Sequence, residues 1–219
     1  MWKVLKAVDL SLPISGETQV YPGDPEPTLN PVATIAGEGY NLHRVALGSH
    51  TGTHVDAPYH FRPEGATVDR LPLGLFIGEA VIVPVRDKQP RQEITLADIK
   101  PVEPLLRPGA AVLFNTNWYS KAGTPQFLEH PYLGATLCRY LLDRGIRTFG
   151  IDAINIDLPG GAGSPVHEMI AAAGGVIVEN LANLDQVDFA HPLVAFFPLK
   201  LVGCDGSPVR AVAFLLQQD

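Results

Sequence analysis

The stretch HTGTHVDAPYH, residues 50–60, holds three of the chain's seven histidines, with Asp56 among them. Its reading as helix or extended chain decides which fold can carry it. A helix would stack His50 and His54 one turn apart on one face. Gly52, the β-branched Thr51, Thr53 and Val55, and Pro58 all argue against a helix here. In an extended chain, alternate side chains share a side, which groups His50, Gly52, His54, Asp56, Pro58 and His60. Full extension would leave the Cα atoms of His50 and His54 ~13 Å apart, at ~3.3 Å per residue. That is too far for two ligands of one ion, so a bend or bulge is expected at Gly52.

Working outward, short apolar segments rich in β-formers recur at 3–10, 42–47, 80–85, 110–114, 147–151, 175–178, 193–199 and 209–215. Most are bounded by Gly, Pro or Asp, as strands are. Leu137, Leu141 and Leu142, with Gly145 beyond them, predict a helix over 134–144. Ser164 followed by Pro165 reads as an N-cap and first helical position, opening a helix that runs to about Ala173. A short helix is expected at 96–99, capped by Thr95. No repeat, low-complexity tract or charged linker interrupts the chain, so residues 1–219 are read as one domain. The expected architecture is mixed α/β with a strongly curved, barrel-like sheet.

Composition narrows the function. Charged residues are only 18% of the chain and hydrophobic ones 46%, which implies much buried surface, extended by subunit contacts. A net charge of −7 and the lack of a basic stripe exclude nucleic acid as a natural partner. The alternating, lysine-bearing segment at 1–15 reads as a strand, since a signal peptide needs an unbroken apolar core. No apolar run approaches the ~20 residues of a membrane span. Cys138 and Cys204 are too few for a disulfide framework and suit a reducing cytoplasm.

Neutral imidazole and carboxylate, with no thiolate nearby, suit Zn²⁺, Mn²⁺ or Fe²⁺. Three histidines and an aspartate exceed what one catalytic ion needs. Either a histidine is spared for proton transfer, or the aspartate bridges two ions. Other candidates read as structural. His43 lies in a strand of opposite parity; His130 and His191 precede prolines at loop edges and are expected on the surface; Asp152 follows a strand in a turn or supporting hydrogen-bond role. Glu168 adjoins His167, but neighbours on a helix diverge. PGGAGS (159–164) lacks phosphate-loop spacing and reads as a flexible loop at a site mouth.

HTGTHVDAPYH resembles the H-x-G-T-H-x-D-x-P-x-H signature of the cyclase family, metal-dependent hydrolases that include bacterial kynurenine formamidases and isatin hydrolases. YPGDP (21–25), GID (150–152), SPVHEMI (164–170), VEN (178–180) and PLK…DGSPVRAV (198–212) extend the resemblance along nearly the whole chain. It implies a swivelling β/β/α fold and hydrolysis of an amide or lactam. It also implies two divalent ions per subunit, Zn²⁺ before Mn²⁺. Carried over by position, His50, His54 and Asp56 would hold one ion, with Asp56 bridging to a second held by His167 and Glu179. His60 would be the general acid/base.

Tyr21 would face the substrate, where the formamidases carry a tryptophan. The resemblance points first to N-formylkynurenine, in tryptophan breakdown, and next to a cyclic amide or lactone. A binding protein with the fold but no turnover is the remaining reading, and it would have no use for His60. A homodimer or homotetramer is implied.

Overall fold

A computed structural model describes residues 1–218. In chain order the first elements are β1 (Trp2–Asp9), β2 (Thr28–Ala33), α1 (Ile35–Glu38), β3 (Leu42–Ala46), β4 (His54–Asp56) and β5 (Ile77–Pro84). There follow β6 (Glu93–Ile94), α2 (Leu96–Ile99), β7 (Ala111–Asn115), β8 (Tyr132–Leu133), α3 (Ala135–Asp143) and β9 (Thr148–Ile151). The chain ends with α4 (Pro165–Ala172), β10 (Val176–Glu179), β11 (Leu193–Ala195), β12 (Gly206–Pro208) and β13 (Val212–Gln218). Among the described residues, no helix is long and apolar enough to cross a membrane.

Among the described residues, nine strands form one mixed sheet in the order β1-β13-β11-β5-β7-β9-β10-β4-β12. β5, β7, β9 and β10 are parallel, and the strands outside them pair antiparallel. β7, β9 and β10 are buried throughout, which is why their sequences are almost unbroken apolar runs. Alternate residues serve two cores. Val112, Phe114, Phe149 and Ile177 pack with Leu137 and Leu141 of α3 and with Val166 and Ile170 of α4. Leu113, Val176 and Val178 pack instead with Val8 of β1, Val194 of β11 and Ala213 of β13.

The second core joins strands from opposite ends of the sheet, so the sheet must curl. Ser11, just past β1, bridges Leu181, just past β10. The barrel is not closed, however, because the edge strands β1 and β12 do not pair with each other. β2 and β3 form a separate hairpin whose apolar side chains Val32, Leu42 and Val45 are exposed.

Candidate metal centre

β4 lies between β10 and β12, and its register sets the centre. Glu179 is the cross-strand partner of His54, and Ile177 of Asp56. Directly opposed residues share a face, so His54, Asp56 and Glu179 stand on the side where Ile177 meets α4. The first turn of α4 then lowers His167 onto them. All four side chains are buried.

The predicted bend at Gly52 is present. Gly52 has φ +66°, and a Cβ there would lie 2.8 Å from Ile14 Cγ1. The reversal brings the rings of His50 and His54 to 5.0 Å between centroids. The six-residue alternation expected from sequence holds only within His54–Asp56. His50 sits in the turn before the strand, and Pro58–His60 is a 3₁₀ turn, which carries His60 back over the site by curvature instead of parity.

Hydrogen bonds aim the imidazoles. His54 Nδ1 lies 2.8 Å from the Gly52 carbonyl oxygen. A carbonyl only accepts, so Nδ1 carries the proton and Nε2 keeps its lone pair. That Nε2 faces Asp56 Oδ1 at 3.2 Å and Glu179 Oε2 at 3.7 Å. His167 is arranged likewise: Nδ1–H donates to Asp157 Oδ2 at 2.7 Å, and Nε2 stands 3.4 Å from both Asp56 Oδ2 and Glu179 Oε1. Glu179 Oε1 is anchored by the Ile156 N–H at 2.8 Å. His50 Nδ1 lies 2.7 Å from Asp56 Oδ1, and its Nε2 lies 3.0 Å from Asp205 Oδ2.

Imidazole nitrogens and carboxylate oxygens thus converge on one another, and the buried Asp56 Oδ2 has no hydrogen-bond partner among the described residues. Such an arrangement is costly unless positive charge enters it. The field has the matching sign. Burial opposes charge on His167, but Asp157, Asp56 and Glu179 outweigh it and hold its pKa well above the ordinary value. Burial likewise pushes the Asp56 pKa up, and the imidazoles of His54, His167 and His50 overcome it, so Asp56 stays ionised. A divalent cation with nitrogen and oxygen ligands fits this set. Two groups of converging ligand atoms, His50/His54/Asp56 and Asp56/His167/Glu179, share Asp56.

Tyr21, Asp24, His60 and Phe61 line a cavity of about 220 Å³ over these groups. A larger groove of about 570 Å³ runs beside it along 161–165 and contains no imidazole. Ser164 lines both, which places the glycine-rich loop at the site mouth.

Two sequence readings need correction. His130 is buried at the end of the 3₁₀ turn Pro125–Glu129, where burial pushes its pKa down to about 4. Ser164 makes no capping hydrogen bond. Asp157 takes that role, its two oxygens accepting from the N–H groups of Val166 and His167; a carboxylate suits the positive end of a helix better than a hydroxyl does. Asp152 is, as expected, a hydrogen-bonding turn residue, accepting from the Thr116 and Asn117 N–H groups. His43 and Glu168 are exposed, and His191 is exposed beside Glu79. Sequence reasoning missed Asp157 and Asp205. The only signals were an aspartate shortly before a helix start and the Asp-Gly pair opening DGSPVRAV.

The chain matches the family model described as "Putative cyclase" over residues 8–158. It is 32% identical over 207 residues to the kynurenine formamidase of Geobacillus thermodenitrificans, covering 93% of this chain and 95% of that protein. Isatin hydrolase A from Labrenzia aggregata superposes with a TM-score of 0.87 at 26% identity, covering 96% and 93% of the two chains. A solved protein described as a potential metal-dependent hydrolase with cyclase activity gives 0.80 at 31% identity over 98% of each chain. Signature, curled sheet and shared relatives agree, and the chain belongs to the cyclase family.

Proposed function

We propose that this protein is a metal-dependent amidohydrolase that cleaves N-formylkynurenine to kynurenine and formate. The observation that carries the reading is the convergence of His50, His54, Asp56, His167 and Glu179 around an unpartnered, buried Asp56 oxygen. These five residues would hold two divalent ions, Zn²⁺ in preference to Mn²⁺, with Asp56 between them. Bound there, an ion supplies Lewis acidity towards a carbonyl oxygen and water activated near neutral pH.

The chain's own groups do the rest. His60 stands at the cavity mouth with its Nδ1 3.1 Å from Asp205 Oδ2. Its Nε2 is left to accept a proton from the attacking water and deliver it to the leaving nitrogen. Tyr21 offers a ring face to an aromatic substrate, and Phe61, stacked on His167 at 4.5 Å between centroids, helps keep bulk water out. The likeness to isatin hydrolase A favours a second reading, ring opening of a cyclic amide or lactone, which the same groups could serve.

One domain, a homodimer or homotetramer and a cytoplasmic location complete the proposal. The exposed Val32, Leu42 and Val45 of the β2–β3 hairpin support association. The test compares N-formylkynurenine with isatin as substrates of the zinc- or manganese-loaded protein. Deformylation with kcat/KM in the enzymatic range of ~10⁴–10⁸ M⁻¹s⁻¹ supports the first reading. Efficient turnover of isatin alone moves the assignment to ring opening, and turnover of neither rejects both.

A further inference from the structure

We propose that Asp205 is a positioning residue that sets the tautomers of two neighbouring histidines at once, aiming His50 into the metal-ligand set and His60 into the substrate cavity. The inference rests on the hydrolase reading for what His60 does, but its geometry stands apart from any substrate.

One carboxylate oxygen makes both contacts. Asp205 Oδ2 lies 3.0 Å from His50 Nε2 and 3.1 Å from His60 Nδ1. A carboxylate only accepts, so each of these nitrogens must carry its proton. With a cation in the ligand set, His50 would donate from Nε2 alone and offer its Nδ1 beside Asp56, whereas His60 donates from Nδ1 and leaves Nε2 free. The second is the less favoured form of a neutral imidazole in water, so His60 needs an acceptor to hold it. The rings stack at 4.0 Å between centroids with 32° between planes, which lets one oxygen serve both.

The backbone is arranged for this contact. Asp205 immediately precedes β12, where Gly206 pairs with Asp56, and the Asp205 carbonyl oxygen accepts from the Ala57 N–H at 2.8 Å. Gly206 clears the space: a Cβ there would lie 2.9 Å from His50 Cε1 and 2.7 Å from the Val55 carbonyl oxygen. The Asp-Gly pair therefore does two jobs, with the aspartate gripping the ring and the glycine admitting it. A carboxylate behind a metal-bound histidine fixes ring orientation and raises ligand basicity. Here the same carboxylate also holds the proton-transfer residue.

The test uses zinc-loaded protein with ¹⁵N-labelled histidine, reading imidazole tautomers by long-range ¹H–¹⁵N correlation at alkaline pH. Zinc affinity is measured in parallel by chelator competition. In the wild type, His60 is expected as the Nδ1–H tautomer. In Asp205→Ala it should revert to Nε2–H, and zinc affinity should fall roughly 10–100-fold with unchanged stoichiometry. Asp205→Asn keeps the side chain's size with a weaker acceptor, so it should shift both readouts the same way by less; it carries the test if the alanine variant does not fold.

At saturating zinc, Asp205→Ala should lower kcat in the wild-type background and add little in a His60→Ala background. An unchanged His60 tautomer, an unchanged zinc affinity or multiplicative kcat losses would overturn the proposal. So would the loss of a whole ion, which would make Asp205 a ligand. If the wild type hydrolyses no amide, the proposed function falls, while the spectra and chelator data still decide the role of Asp205.

Discussion

Gly52→Ala tests the bend on which the centre depends. Gly52 sits at φ +66°, where an L side chain costs roughly 1–2 kcal/mol. The new Cβ would also meet Ile14 Cγ1 at 2.8 Å and Cδ1 at 3.1 Å. Forcing a methyl into a filled space costs about 1–3 kcal/mol more. The sum is roughly 2–5 kcal/mol. For a chain of this size that lowers Tm by roughly 2–4 °C per kcal/mol, or about 4–20 °C in all.

The Gly52 carbonyl oxygen accepts from both His54 Nδ1 and Asn180 Nδ2, so a shifted peptide also turns a ligand. Urea unfolding of the metal-free variant isolates the backbone and steric cost, and chelator competition then reads the loss of metal affinity. Combining the change with Ile14→Ala in a double-mutant cycle should show a coupling of about 1–2 kcal/mol, within the range for residues in contact. The left-handed backbone cost should remain. A total change below about 0.5 kcal/mol, the level of an uninvolved surface substitution, would refute this reasoning.

Asp157→Asn should weaken zinc binding roughly 10–100-fold by loosening His167. It should also lower stability by about 1 kcal/mol through the poorer helix cap; chelator competition and urea melts separate the two. Burial holds the His130 pKa at about 4, below the ~6.5 of an unfolded chain. The unfolded state therefore binds the proton first, so this contribution is complete above pH ~6.5 and is lost as pH falls towards 4, by roughly 3 kcal/mol. The wild-type minus His130→Gln difference in unfolding free energy should show that slope, and a flat difference would contradict it. Tyr21→Ala should raise KM for an aromatic formamide, by about the 0.5–1.5 kcal/mol of an aromatic contact, more than it lowers kcat; steady-state kinetics would reveal the reverse.

Much of the fold could be read because its central strands are buried on both faces. Residues 110–114 and 175–178 are continuous apolar runs, 147–151 is a β-forming segment ended by Asp152, and each became a strand within a residue or two. The hairpin strand β2, TLNPVA, has no such run, since most of it is exposed and Pro31 interrupts it. Around the site, the extended reading of His54–Asp56 and the bend at Gly52 followed from β-branching and glycine. The placement of His60 did not, because parity cannot anticipate a 3₁₀ turn after Pro58.

Asp205 and Asp157 could not be found by spacing along the chain. Asp205 reaches His50 through the pairing of Gly206 with Asp56, and Asp157 reaches His167, ten positions on, across the loop that precedes α4. Such contacts belong to strand register and helix placement, which local patterns do not specify. His130 failed for a related reason: a His-Pro pair at a loop edge looks exposed, and its burial follows from tertiary placement that the local sequence does not specify.

The most direct measurement is N-formylkynurenine hydrolysis by protein fully stripped of metal, followed as Zn²⁺ or Mn²⁺ is added back. The expected result is no turnover without metal, a rise to a plateau on reloading, and loss of that rise in His54→Ala and Glu179→Ala. Hydrolysis that survives complete chelation, or reloading that restores activity equally in those variants, would contradict a metal-dependent centre built on β4, β10 and α4.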